Sequence, residues 1–398
     1  MALRRTALAR ARKAVGLTQE ALAEAARVER STVVRWEAGT SEPLPFQRPK
    51  LARLLKIGLT ELDALLSPVR ATGIQPWPAP AGSDDDEQDA LELARRVNAS
   101  DVGRETLERL EAVVDELAIA YPGTPPVDLL ERVRRHLRYV NRLLDARKTL
   151  GEHRRLLVVG GWLSLLGATV HIDLDQPEAA IARLRTAASL ATHTEHAEIH
   201  AWTFETEAWR VLTEGDHVRA LELSHRAMAL APTGSSVEIQ ATAQSGRAHA
   251  RLGQVKETHA ALNEVQRLAS PLQRPDKPEH HYRYDPDKAV AYTATTLAWI
   301  GDPAAEGFAR EIIRRLNAGD DPTGWPRRVA SANIDMSLAL LVTDRLDEAC
   351  HHTMRAMTSG RVVPSNHWRA AEVVRAVELR ELPEAAGLRE VYEDMRRR

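Results

Sequence analysis

Apolar positions recur at helical spacing along most of the chain, and the breaks between those stretches set its plan. Leu3, Leu8 and Val15 begin a period that stops at Gly16. Thr18 is placed to cap a second helix opened by Gln19 and Glu20, with Leu22, Ala23 and Ala26 as its inner face. After a turn at Arg27 to Glu29, Ser31 stands where it can cap a third helix. There Val33 and Trp36 point inward with Val28, and Arg30, Ser31, Thr32 and Arg35 are left outward. Gly39 ends that helix, the Pro43 to Pro49 segment turns the chain, and Leu51 to Leu55 and Leu59 to Leu66 complete a five-helix bundle. Residues 67–87, rich in Pro, Gly, Ser and Asp, have no sustained period and read as a linker, within which Trp77 is either docked or solvated. The helical pattern resumes from Gln88 through Leu91 to Val97 and Val102 to Tyr121, breaks at Pro122 to Pro126, and continues from Val127 to Leu150. The longest apolar run, Leu156 to Val170, is 15 residues and falls short of the ~20 needed to span a bilayer, so a buried helix is expected.

From residue 127 onward the chain repeats itself. Ala168, Asp175, Ala180 and Ala187 set a spacing that recurs at Ala208, Gly215, Ala220 and Ala227, where Pro232 closes the clearest copy. Gly246, Gly253, Thr258 and Val265 form a weaker copy, Ala294 and Gly301 begin another, and Ser337, Asp344, Ala349 and Ala356 make a fifth. Small residues suit the close approach of paired antiparallel helices, and Gly or Asp suits the turn between them. The spacing resembles the tetratricopeptide repeat, although the turns at 175, 215, 253, 301 and 344 are 38 to 48 residues apart where that family has about 34. The resemblance implies a right-handed superhelix with a concave face. Trp202, Glu205, Trp209, Gln240, Gln244, Arg247, Tyr292, Thr295 and Asn333 are expected to face inward, a set suited to a peptide or drug-sized effector. Both tryptophans are equally open to a reading as core between repeats. Residues 270–287 insert four prolines and a His-His-Tyr-Arg-Tyr run into the longest interval, as a lid over the groove or as an ordered surface loop.

The predicted fold is all-α, with a bundle at 1–66, a linker at 67–87, connecting helices at 88–126 and a solenoid at 127–398. Charge sharpens this division. Residues 1–66 hold 12 basic and 7 acidic side chains and the remainder 42 and 49, so a small basic head precedes a larger acidic body although the whole chain stands at −2. That is the electrostatic outline of a protein whose head alone meets a polyanion.

In the head, Arg12, Gly16, Leu17, Thr18, Gln19, Leu22, Ala23, Ser31, Trp36, Glu37 and Gly39 follow in order the running pattern of the Cro/CI or Xre family of helix-turn-helix domains, which this stretch resembles. The resemblance implies a third helix lying in the major groove of double-stranded DNA, with Arg30, Ser31, Thr32 and Arg35 at or near base edges and Thr18 and Gln19 at the phosphates. Arg offers a donor fork for guanine O6 and N7, so Arg30 and Arg35 are the specificity candidates. Arg12 and Glu37 look like that family's internal ion pair. Arg27 stands where the family usually has Gly, so it is expected to carry modest strain or to reach a phosphate.

Joined to the repeats, the head makes the chain similar to actinobacterial helix-turn-helix regulators with a tetratricopeptide body, and more distantly to the Rgg and PlcR class of peptide-sensing regulators. The likeness implies a cytoplasmic homodimer on a palindromic operator and an unidentified effector in the solenoid. The physical case for a dimer is separate, because one helix reading four or five base pairs cannot select a genomic site. The competing reading is an interaction scaffold with a vestigial head.

The lone Cys350 excludes an intrachain disulfide, fits a reducing cytoplasm and reads as a buried thiol. The Arg-rich N-terminus lacks the apolar core of a signal peptide. His193, His196 and His200 share one face if their helix extends that far, but no adjoining carboxylate or thiol cluster supports a metal, and His351 and His352 diverge on a helix. No cofactor, metal or catalytic constellation is expected, nor any membrane contact.

Overall fold

The computed structural model describes residues 6–44, 47–66, 100–273, 275–317 and 326–397. The linker, Trp77, the helix expected at Leu91 to Val97, and Leu3 lie outside the described residues. The chain divides into two compact units, Met1–Gln88 and Asp89–Arg398. Among the described residues both are built of α-helices joined by turns, with one short 3-10 turn, and the fold is all-α.

In the first unit α1 (Thr6–Ala14), α2 (Gln19–Ala26), α3 (Arg30–Ala38), α4 (Arg48–Leu55) and α5 (Leu59–Leu66) form the five-helix bundle. Leu8, Leu22, Val33, Trp36, Leu51, Leu55 and Leu62 are buried in its core. Thr18 caps α2 by accepting from the Ala21 N–H at 3.1 Å. Ser31 does not cap α3. The cap position is Glu29, and Ser31 lies one residue inside the first turn, where its hydroxyl donates to Glu29 Oε2 at 3.1 Å.

The second unit opens with α6 (Arg104–Ala120) and α7 (Pro126–Asp145), which pack on α8 (Leu150–Asp173) and share its hydrophobic core. α8 runs 24 residues, longer than its apolar run, because a capping box between Thr149 and Glu152 starts it ahead of His153, Arg154 and Arg155. By length and composition it could cross a membrane, but most of it is buried inside this unit.

Six antiparallel pairs follow in succession: α8 with α9 (Pro177–Thr194), α10 (Ala197–Thr213) with α11 (His217–Leu230), and α12 (Ser236–Arg251) with α13 (Val255–Ala269). Then come α14 (Pro286–Trp299) with α15 (Ala305–Asn317), α16 (Pro326–Val342) with α17 (Leu346–Thr358), and α18 (His367–Glu378) with α19 (Ala385–Arg397). The first helix of each pair packs on the first helix of the next, which makes a solenoid. All five turn residues marked by the repeat spacing are left-handed, from Asp175 (φ 55°) and Gly215 (φ 92°) to Asp344 (φ 56°). Glu381 (φ 53°) makes a sixth turn that the spacing did not mark. The small residues sit where helices meet: Ala168, Ala180, Ala208, Ala220 and Ala349 are fully buried, and a Cβ on Gly246 would stand 3.1 Å from that of Ala261.

The solenoid also closes on itself. Asp173, at the end of α8, is buried and accepts from Tyr121 OH (2.8 Å), Arg327 Nη1 (3.2 Å) and Ser365 Oγ (3.0 Å), groups 52, 154 and 192 residues away in sequence. Burial pushes its carboxyl upward, and Arg327 and the two hydroxyls hold it down. Asp173→Ala is expected to destabilise this unit by about 3–5 kcal/mol, because Arg327 loses its carboxylate inside the protein. Chemical denaturation followed by circular dichroism measures the loss, while Arg267→Ala, in an exposed pair with Glu264, leaves the midpoint unchanged.

Candidate functional site

On α3, Val33 and Trp36 face the core, and Arg30, Ser31 and Arg35 are exposed on the other side with Thr32 half-buried beside them. Arg30 Nε meets Glu20 Oε1 at 2.5 Å, but both side chains are more than 60% exposed (63% and 61%), so the pair is a weak restraint. Arg35 lies along its own helix, with Nε 3.4 Å from Ser31 O and Nη2 3.4 Å from Thr32 Oγ1.

The face is held in place from behind. Arg12 donates from Nε to Glu37 Oε1 at 2.6 Å and from Nη1 to Leu17 O at 2.6 Å, and Gln19 Nε2 donates to Glu37 Oε2 at 2.7 Å. This nearly buried network ties α1, α2 and α3 together. Gln19 therefore orients the helices with one of its two amide N–H groups and leaves the other N–H and its carbonyl for anything outside. Arg27 has φ 62° and ψ 47°, and its N–H closes the end of α2 on Ala23 O and Glu24 O, so the left-handed turn is made without glycine. Its exposed side chain stands between α2 and α3.

The second unit encloses a chamber of about 260 Å³ on the inner side of its curve. Of the nine inward residues expected from sequence, Trp202, Glu205, Trp209, Gln240, Gln244, Arg247, Tyr292 and Thr295 line it. Asn333 does not. On α16 the chamber face is Arg328, Ser331, Ala332 and Asp335, and Asn333 is turned toward its hairpin partner, bonding Val329 O (2.8 Å) and His352 Nδ1 (2.8 Å). Trp202 serves both readings made of it: it lines the chamber and packs in the core with its ring 5.2 Å from Tyr282.

The inserted segment is a fixed wall. His281 and Glu279 line the chamber, Tyr282 and Tyr284 are buried, the His281 N–H donates to Ala118 O at 3.1 Å, and His280 Nε2 lies 2.9 Å from Asp115 Oδ1. Sequence reasoning missed Lys288, Asp335 and Arg369. Lys288 stands one turn before Tyr292 on α14 and Asp335 two turns after Arg328 on α16, a signal that periodicity could have found.

Burial sets the chemistry of the lining. It raises the Glu205 carboxyl to about 7, opposed by Gln240, Arg247, Lys288 and Thr206. It also lowers the Lys288 ammonium to about 7, with Arg328 adding to the fall, and the Arg247 guanidinium to about 10. Asp335 is bound by Arg369 and by Thr295 Oγ1. Four buried N–H donors on the lining, Trp202 Nε1, Gln244 Nε2, Arg247 Nε and Arg369 Nε, have no partner in the protein. Each such donor costs about 1–3 kcal/mol when left unmet.

The histidine trio does not assemble. α9 ends at Thr194 and Glu195 turns left-handed (φ 52°), so His193 bonds Ser189 O while His196 caps α10 and packs edge-on to Trp162. Among the described residues no group of three potential ligands could hold a metal ion. Cys350 is buried, which pushes its thiol up.

Two outcomes follow from this geometry. Arg27→Gly should raise the stability of the first unit by about 1 kcal/mol in thermal unfolding, since glycine holds the left-handed turn without a Cβ clash. Glu205 gives the fold stability that is whole below its ordinary value of 4.5 and is lost as pH rises through about 7. Melting curves of Glu205→Gln against the parent should therefore coincide near pH 4 and separate by up to about 3 kcal/mol in the variant's favour above pH 8.

None of the curated proteins matches the chain. Residues 8–62 match the family described as Helix-turn-helix, a span that runs from the first core leucine of α1 into α5. The N-terminal bundle is thus a helix-turn-helix domain of the Cro/CI type.

Proposed function

We propose that the chain is a sequence-specific DNA-binding transcriptional regulator in which the helical body, a tetratricopeptide-like solenoid, binds a small effector and pairs two chains in the cytoplasm. The observation that carries the DNA reading is the sidedness of α3. Its buried Val33 and Trp36 fix which face is outward, and that face carries Arg30, Ser31 and Arg35 on a bundle that matches helix-turn-helix domains. The effector reading is supported by the chamber and its four unmet donors. Two heads on half-sites of a palindromic operator, about one helical turn apart, supply the selectivity that one short helix lacks. No catalytic role is assigned to any residue, and Arg30 and Arg35 read bases while Thr18, Gln19 and Arg27 meet phosphates.

The test begins from genomic fragments retained by the purified chain. In gel shifts at fixed salt, Arg30→Ala together with Arg35→Ala should remove the preference for a retained fragment over random competitor, at roughly tenfold or more per arginine, with thermal unfolding unchanged. Unaltered preference would overturn the assignment of α3. Arg27→Ala should weaken binding to all sequences alike and reduce the slope of log affinity against log salt by about 1.

A further inference from the structure

The polar lining of the chamber is unbalanced in one direction, and we infer from this what fills it: a small monocarboxylate with a flat apolar body, its carboxylate on Arg247 and its body against Trp202, Trp209 and Tyr292. The inference rests on the effector reading above and narrows it.

Most charges in the wall are already matched. Asp173 is held by Arg327, Asp335 by Arg369, Arg328 by Asp285 and Asp287 by Arg315. Glu279, half-buried, and Arg361, exposed, add one charge of each sign, which leaves Glu205, Lys288 and Arg247. Glu205 and Lys288 cancel whether both are ionised or both neutral, so the charge of Arg247 is the one left over. Among the described residues no carboxylate lies within ion-pair distance of Arg247. Its Nη1 donates to Gln244 Oε1 at 3.1 Å, and its carbon lies 5.5 and 5.4 Å from the ring centres of Tyr292 and Trp299.

The hydrogen-bond imbalance has the same sign. Gln244 commits its carbonyl to Arg247 and so presents an unmet N–H. With Trp202 Nε1, Arg247 Nε and Arg369 Nε, every unpartnered buried polar atom among the described lining residues is a donor. An occupant must bring acceptors and one negative charge. A carboxylate brings two oxygens in the plane that a guanidinium fork accepts. A phosphate monoester brings a second charge, and Lys288, the remaining cation, already donates to His281 O (3.2 Å) and Arg283 O (3.3 Å). The aromatic walls suit a flat body. A volume of about 260 Å³ lies below the range of drug-sized pockets and excludes a long peptide. The other large cleft, about 540 Å³ beside the Asp175 turn, has no net positive surplus: Glu207, Glu214 and Glu378 hold Arg210 and Arg389, and its remaining Arg375 and Arg396 are matched in number by Asp175 and Glu393.

Isothermal titration of the full chain, with tryptophan fluorescence as a second readout, tests the assignment. The probes are phenylacetate, cinnamate and indole-3-acetate, their primary amides, and phenyl phosphate. At least one acid should bind about 100-fold more tightly than its amide and about tenfold more tightly than phenyl phosphate. Arg247→Met should weaken the acid about 100-fold and the amide little, and Trp202→Phe, which keeps a ring but drops the N–H, should weaken both. Circular dichroism checks folding, and if Arg247→Met does not fold, Arg247→Lys makes the same comparison with a smaller loss. Amides equal to acids, Arg247 variants that bind acids like the parent, or no acid binding below about 1 mM would each overturn the proposal. Gel shifts with and without the acid report separately on the effector reading. An acid that binds and leaves DNA affinity unchanged removes that reading and keeps the ligand class, and an uncharged occupant that changes DNA affinity does the reverse.

Discussion

A solenoid of helix pairs needs only contacts between neighbours, and nothing in that arrangement makes its ends meet. Here they meet at Asp173, which sits at the end of the first paired helix and takes hydrogen bonds from Tyr121 before the repeats, Arg327 at the start of the fifth pair and Ser365 just before the sixth. A carboxylate withdrawn from water is costly, so this junction adds less to stability than its contacts suggest. Its effect is on geometry. It fixes how far the curve closes, and the closure turns an open groove into a chamber with walls from the first helices, the inserted segment and the later repeats.

Closure also explains the division of charge inside. The walls come from segments far apart in sequence, and the pairs that join them, Asp173 with Arg327 and Asp335 with Arg369, are the ones buried most deeply. Arg328 reaches Asp285 and the carbonyl of Pro278 and so fastens the inserted segment to α16. The pairs that stitch the chamber shut consume Asp173 and Asp335. Arg247 sits on the first helix of a middle pair, where no stitching is needed, and it keeps its donors for the interior.

What could be read in the sequence was local. The helix-turn-helix bundle was legible because its signals lie within a few residues of one another: the cap at Thr18, the inward Val33 and Trp36, and the Arg12 and Glu37 partners that its family pattern marks. The five repeat turns were legible because Gly or Asp tolerates the left-handed backbone, and the sixth was hidden because Glu381 adopts the same conformation without being a residue type that advertises it. Asn333 was misplaced because a residue next to the inner face of α16 differs from a residue on it by one step of about 100°. The closure at Asp173 had no sequence signal, since its partners lie 52, 154 and 192 residues away and no period relates them.

The junction and the chamber are not independent, because Asp173, Arg327 and Tyr121 belong to both. A molecule that fills the chamber touches the side chains that keep the solenoid closed, so its binding free energy and the free energy of closure are linked. An occupant that binds the closed form alone stabilises it by RT ln(1 + [L]/Kd), about 2.7 kcal/mol at a hundredfold excess over Kd. That approaches the cost of about 3–5 kcal/mol expected for Asp173→Ala. Occupancy by such a ligand and closure of the curve would then be thermodynamically linked.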